Sequence, residues 1–175
     1  MFRSILVAVD GSDIGQRALE QGLAVASAME IPVHVVHVIQ TAAYPALALS
    51  DLPPPDVAQQ ALLDALDREA DEILADAERT AAAAGVPVTI HKQLGHPGAE
   101  IIALARKIGA GLIVVGSHGK GRLGRLFLGS TSSYVVDHAT STVMVVRASP
   151  GLPEERTTPL AMSRATRIGS GTLPS

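Results

Sequence analysis

The sequence predicts a single α/β domain: an open parallel sheet with helices on both faces. Two observations carry this prediction. Short runs rich in β-branched residues alternate with longer stretches whose apolar positions recur at helical spacing. The chain is also 47% hydrophobic over 175 residues, enough for one well-buried core, yet only 2% aromatic. Its core must be built from Val, Ile, Leu and Ala, the residues that fill strands buried on both faces.

The elements follow in order. Ile5–Val9 reads as the first strand. Ile14, Ala18, Val25 and Met29 then fall on one helical face, with Asp13 expected as the cap and Gln16 three residues on. Val33–Ile39 is the second strand. The stretch from Thr41 to Asp56, with Pro45, Pro53, Pro54 and Pro55, reads as a long loop. It leads into a helix striped by Leu62, Leu66, Ala70, Ile73, Ala77 and Ala81, with Gly85 just past its end. Val86, Val88 and Ile90 alternate with Pro87, Thr89 and His91, which suits a third strand, Val86–Ile90, at a sheet edge. Pro97 opens a helix carrying Ile101, Leu104, Ala105 and Ile108, and Gly109 follows it. Leu112–Val115 is the fourth strand, Ser130 to His138 a short fourth helix, and Val143–Val146 the last strand.

Strand, helix, strand, repeated four times, specifies right-handed crossovers and a parallel sheet. The last strand is apolar on both faces with nothing regular after it. Pairing with a second copy is therefore expected, giving a homodimer through Val143–Val146. Residues 148–175 hold four prolines, three glycines and no periodicity, and are expected to form a disordered tail beyond a domain of residues 1–147.

Composition excludes several functions. Fourteen basic against 17 acidic residues give a net charge of −3, so no global field attracts polyanions. The aromatic residues are only Phe2, Tyr44, Phe127 and Tyr134, too few for base-stacking platforms, so no nucleic-acid partner is expected. Absence of cysteine removes disulfides, thiol catalysis and thiolate zinc sites. The apolar run before Asp10, Ile5 to Val9, is too short for a signal peptide, and none approaches the ~18 residues of a membrane span. A cytoplasmic chain without membrane contact is expected.

Chemistry concentrates after the fourth strand, in Gly116-Ser-His-Gly119-Lys-Gly121-Arg-Leu-Gly124-Arg-Leu-Phe-Leu-Gly129-Ser130-Thr131. Five of the 16 glycines lie here, with Lys120, Arg122 and Arg125. Glycines let backbone N–H groups approach an anion, and the following helix offers unpaired N–H groups and a partial positive charge. Ser130 and Thr131 add hydroxyl donors. The physical reading is a polyphosphate cradle; the bland alternative is a surface loop with Ser130 as a helix cap. Gly124 to Ser130 has the glycine spacing of a Walker A loop but no lysine, so it fails. Gly119-x-Gly121-x-x-Gly124 matches the dinucleotide fingerprint literally, but the next strand closes with Arg147 where an acid is needed. His118 has two readings, a ribose or phosphate contact or a solvated loop residue. His34 and His37, three apart on a strand, point to opposite faces and cannot share a metal. A phosphoaspartyl enzyme would want a carboxylate two residues after Asp10, where Ser12 stands.

Gly116-x2-Gly119-x9-Gly129-Ser130 resembles the nucleotide-binding signature of the universal stress protein family. Ile5-Leu-Val-Ala-Val-Asp10-Gly-Ser12, His37-Val38-Ile39 and Thr142–Val146 resemble that family's strand motifs, so the similarity covers roughly residues 2 to 147. It implies a five-stranded parallel sheet of order 3-2-1-4-5, a homodimer paired through the last strand, and ATP binding, with Mg²⁺ possible. Carried over, Gly116, Gly119, Gly129, Ser130 and Thr131 hold phosphates and ribose, while Asp10 and the Val38 backbone contact the nucleoside. Ala8 and Val115 supply apolar walls. The expected function is an ATP-binding, nucleotide-gated stress or signalling module with no residue assigned a catalytic role. Its rivals are a slow ATPase or autophosphorylating protein, and a dimeric scaffold that binds no nucleotide.

Overall fold

The computed structural model describes residues 2–40, 57–118 and 128–147, with the side chains of 57–59 left aside. The elements are β1 (Ile5–Ala8), α1 (Asp13–Met29), β2 (Val33–Gln40), α2 (Val57–Ala83), β3 (Val88–Gly95), α3 (Pro97–Ile108), β4 (Leu112–Gly116), α4 (Ser130–His138) and β5 (Thr142–Val146). The five strands form one sheet of order β3-β2-β1-β4-β5, and every neighbouring pair is parallel. This is the predicted architecture. The loop expected at 41–56 and the tail at 148–175 lie outside the described residues, as do Gly119, Lys120, Arg122 and Arg125.

Alternation along the central strands sends side chains into two aliphatic layers. Ile5, Val7, Val33, Val35, Leu112 and Val114 pack with Leu19, Leu23 and Ala26 of α1 and Leu74, Ala77 and Ala81 of α2. Leu6, Val36, Ile113 and Val115 pack on the other face with Ile101, Leu104 and Ala105 of α3 and Val135 of α4. Ile5, Leu6 and Val7 are wholly inaccessible, as a middle strand between two helical layers requires.

Two expectations are corrected. The cap of α1 is Ser12, whose Oγ accepts the Gly15 N–H at 3.0 Å, while Asp13 is the first helical residue. Both are good capping residues; Ser12 prevails because its Oγ also donates to Asp10 Oδ1 at 2.5 Å, which fixes its rotamer. Asp13 instead places a negative charge in the first turn, which favours the helix dipole. The third strand begins at Val88, because the Val86 N–H returns to the Ala81 carbonyl at 3.0 Å and belongs to the exit of α2. It then continues to Gly95, since β2 offers partners as far as Gln40. β3 and β5 form the two edges. Lys92 of β3 reaches Asp67 at 2.6 Å and Asp71 at 2.7 Å on α2. Hydrogen bonds to Asp67 and Asp71 hold its ammonium above the usual lysine range.

Candidate functional site

A cleft of about 460 Å³ opens at the carboxyl ends of β1, β2 and β4, where the strand order reverses. The β1 exit contributes Ala8, Val9 and Asp10. The Val9 N–H donates to Val36 O at 2.9 Å, carrying the strand pairing one residue past β1 and setting Asp10 at the lip. Asp10 Oδ1 accepts the Ser12 N–H at 3.1 Å as well as the Ser12 hydroxyl. Gly15 of α1 lines the same corner; a Cβ there would stand 2.5 Å from Asp10 Oδ1, so the close approach of helix and carboxylate requires glycine.

β2 contributes His37, Val38, Ile39 and Gln40. The His37 Nδ1 lies 2.9 Å from Val9 O, and a carbonyl can only accept, so Nδ1 carries the proton. From β4 come Val115 and Gly116; a Cβ on Gly116 would meet Ile14 Cγ2 at 2.8 Å, so this glycine lets α1 close on the end of β4. Pro97 and Ile101 of α3 and Leu66 and Glu69 of α2 complete the walls.

The opposite end is made by His118 and the start of α4. Ser117 is buried, and its carbonyl accepts the Gly129 N–H at 2.6 Å and the Ser132 hydroxyl at 2.9 Å, docking the start of α4 against the exit of β4. A Cβ on Gly129 would lie 3.2 Å from His118 Cα and 3.4 Å from Ser117 O, so this glycine serves the approach of two backbones. Gly129 is also the N-cap of α4, and no side chain closes that first turn. α1 and α3, by contrast, are capped by Ser12 and His96 and carry Asp13 and Glu100 in their first turns. The first turn of α4 holds no acidic residue, so its N–H groups and the Ser130 and Thr131 side chains present donors to the cleft.

Of the residues singled out in the sequence, Asp10, Val38, Gly116, His118, Gly129, Ser130 and Thr131 line this one cleft; Gly119 lies outside the described residues. Ala8 and Val115 line it too. Sequence reasoning missed Gly15, His37, Leu66, Glu69, Pro97 and Ile101 as walls. Only the position of His37, beside Val38 in the second strand motif, carried a signal. One further pair lies away from the cleft. His34 Nδ1 and His91 Nε2 are 2.9 Å apart across β2 and β3, and burial pushes both imidazoles below the usual histidine range. The neighbouring charges of His34 and Lys107 push His91 down further. Among the described residues, no group of three or more metal-binding side chains occurs, and no helix is long and apolar enough to cross a membrane.

A model of the Universal stress protein family matches residues 1–147. Universal stress protein YxiE of Bacillus subtilis is 32% identical over 148 residues, covering 84% of this chain and all of that one. The solved structure of UspA from Lactobacillus plantarum is 29% identical, with a TM-score of 0.69 over 82% of this chain and 97% of that one. The universal stress protein from Archaeoglobus fulgidus in complex with dAMP is 24% identical and shares the fold, with a TM-score of 0.58 over 82% and 96% of the two chains.

Proposed function

The chain belongs to the universal stress protein family, and from that premise we propose that the cleft binds an adenine nucleotide, ATP foremost, and that occupancy gates contacts with a second copy and other proteins. The observation that carries the reading is the polarity of the cleft. One end is a helix start with no side-chain cap and no acidic first turn, bearing Ser130 and Thr131. The other end has apolar walls from Ala8, Val38 and Val115 beside the carboxylate of Asp10. Phosphates fit the donor end, a flat base fits the aliphatic walls, and a carboxylate accepts from ribose hydroxyls.

The residues of the cleft suit the nucleotide better than they suit catalysis. Ser130 and Thr131 would hold phosphate, the Val38 backbone would face the base, and Asp10 would contact ribose. Any Mg²⁺ would arrive on the phosphates, with Asp10 and Glu69 the carboxylates on the walls. Phosphoryl transfer also needs a group that orients the attacking atom. The proposed role is therefore a binding module spanning residues 1–147, acting in the cytoplasm. Nucleotide released by denaturing the freshly purified chain, identified by chromatography and mass, tests this first. ATP or ADP in near-equimolar amount supports the reading. If none is released, calorimetric titration with Mg-ATP decides, and a flat titration leaves the dimeric scaffold as the function.

A further inference from the structure

The ladder between β1 and β2 breaks off at the cleft, and a side chain is the reason. Ile5 N–H donates to Pro32 O at 3.0 Å and Val9 N–H to Val36 O at 2.9 Å. Alternate residues of a parallel strand face the same partner, so Val38 also turns its N–H and C=O groups toward β1. The next rung would join Val38 N–H to Val9 O. Among the described residues that rung is not made, and Val9 O accepts the His37 Nδ1–H at 2.9 Å in its place. Alternation sets the two neighbours on opposite faces. The Val38 side chain packs in the α3 layer, while His37 leaves the sheet on the α2 side and reaches across to the exit of β1. The Val38 main chain therefore faces the cleft, level with the point where β1 has ended.

From this geometry we propose that His37 is a positioning residue for the base: its imidazole stands in for the Val38 N–H on Val9 O and keeps the Val38 main chain open to the ligand. The inference rests on the nucleotide reading above, which sets the Val38 backbone against the base. An N–H beside a C=O matches an edge that offers an acceptor next to a donor, as adenine does with N1 and its 6-amino group. Inosine reverses that edge, with an N1–H and a 6-carbonyl, and leaves both Val38 groups unpaired. Polar groups that the wrong ligand leaves unpaired are a strong source of discrimination. His37 acts here through Val38 and not on the ligand. Without its donor, Val38 N–H closes on Val9 O, which restores the rung and takes the donor away from the base.

The test compares the full-length chain with its His37→Leu and His37→Asn variants, by calorimetric titration with ATP and with inosine triphosphate and by amide exchange at Val38. In ligand-free wild type the Val38 N–H should exchange faster than the Val36 N–H and slow when ATP is added. In His37→Leu it should be slow without ligand. ATP affinity of that variant should fall roughly tenfold with inosine triphosphate affinity unchanged, so the preference for ATP narrows by the same factor. His37→Asn carries an N–H close to the Nδ1 position and should restore both the fast exchange and the preference. Equal ATP affinities for wild type and His37→Leu, an equal loss for the two nucleotides, or an Asn variant that behaves like Leu overturns the inference while the nucleotide reading stands. A slow Val38 N–H in ligand-free wild type overturns it too, and needs no variant to fold. If wild type binds neither nucleotide, the nucleotide reading fails and takes the inference with it.

Discussion

Gly15 and Gly22 sit two turns apart on the face of α1 that meets β1, and neither leaves room for a methyl group. At Gly15 a Cβ would stand 2.5 Å from Asp10 Oδ1; at Gly22 it would stand 2.5 Å from Val7 Cγ2 in the core. The consequences differ because one neighbour belongs to the cleft and the other to the packing. Gly15→Ala should displace the Asp10 carboxylate from Ser12 while gaining about 1 kcal/mol of helix propensity. Nucleotide affinity should then fall about tenfold or more, with little change in the urea midpoint. Gly22→Ala should lose about 1–3 kcal/mol to overpacking, partly offset by the same propensity, and leave affinity unchanged. Titration calorimetry and urea unfolding of both variants check this, and the reverse pattern would refute the division of roles. Gly116 and Gly129 were legible in the sequence because they belong to a spaced signature. Gly15 was not, because its constraint comes from a carboxylate five residues earlier that only the turn between β1 and α1 brings back. The choice of Ser12 over Asp13 as cap was hidden for the same reason.

The long β2–β3 ladder, from Val33 with Val88 to Gln40 with Gly95, holds the strand whose extent the sequence misjudged most; the other strands differ from their expected ends by one residue at most. Alternation ended at Ile90 on inspection, since His91, Lys92 and Gln93 are polar; pairing with β2 and the ion pairs of Lys92 with α2 carry the strand onward. Hydrophobic pattern reports burial, and an edge strand can be held by its ladder instead. The same ladder brings His34 and His91 together, an arrangement that works while at least one imidazole is neutral. Protonating both sets two cations side by side with Lys107 close to His91. Arg106 lies about 100° further round α3, and Glu100 sits at its far end against Gly95. Both imidazoles titrate below the ordinary 6.5, so over that interval the unfolded chain binds more protons than the folded one. Stability is therefore fully present above about pH 6.5 and falls as the pH drops through the lowered folded values. His91→Gln can still hydrogen-bond His34 and removes one of the titrating groups. Its urea midpoint should fall less than that of wild type between pH 7.5 and pH 5, with hydrogen exchange of β3 showing the same trend. Parallel pH profiles would show that the pair does not govern acid stability.

On the scale of the whole molecule, the sheet is protected unevenly. β3 is pinned by α2 through Lys92, whereas β5 pairs with β4 alone and keeps Val143, Met144, Val145 and Val146 only partly covered. The direction of its backbone groups can be read from the β4 ladder. Thr142 N–H donates to Gly111 O at 3.2 Å, and Val146 O accepts the Ser117 N–H at 2.7 Å. In a parallel ladder alternate residues face the partner, so Val143 and Val145 turn their N–H and C=O groups to the open edge. An apolar edge with unpaired groups invites a second strand, and a two-fold axis makes that pairing antiparallel, β5 against β5 of the second copy. Val145→Pro removes one outward donor while sparing the bonds to β4, a position where an edge strand tolerates proline. The wild-type chain should sediment at twice its 18.0 kDa mass, and Val145→Pro at the monomer mass with its helical circular dichroism intact. A variant that stays dimeric would move the interface off the β5 edge. Loss of the helical signal would mean instead that Val145 is needed for the β4 ladder, contradicting the backbone directions from which the interface is argued.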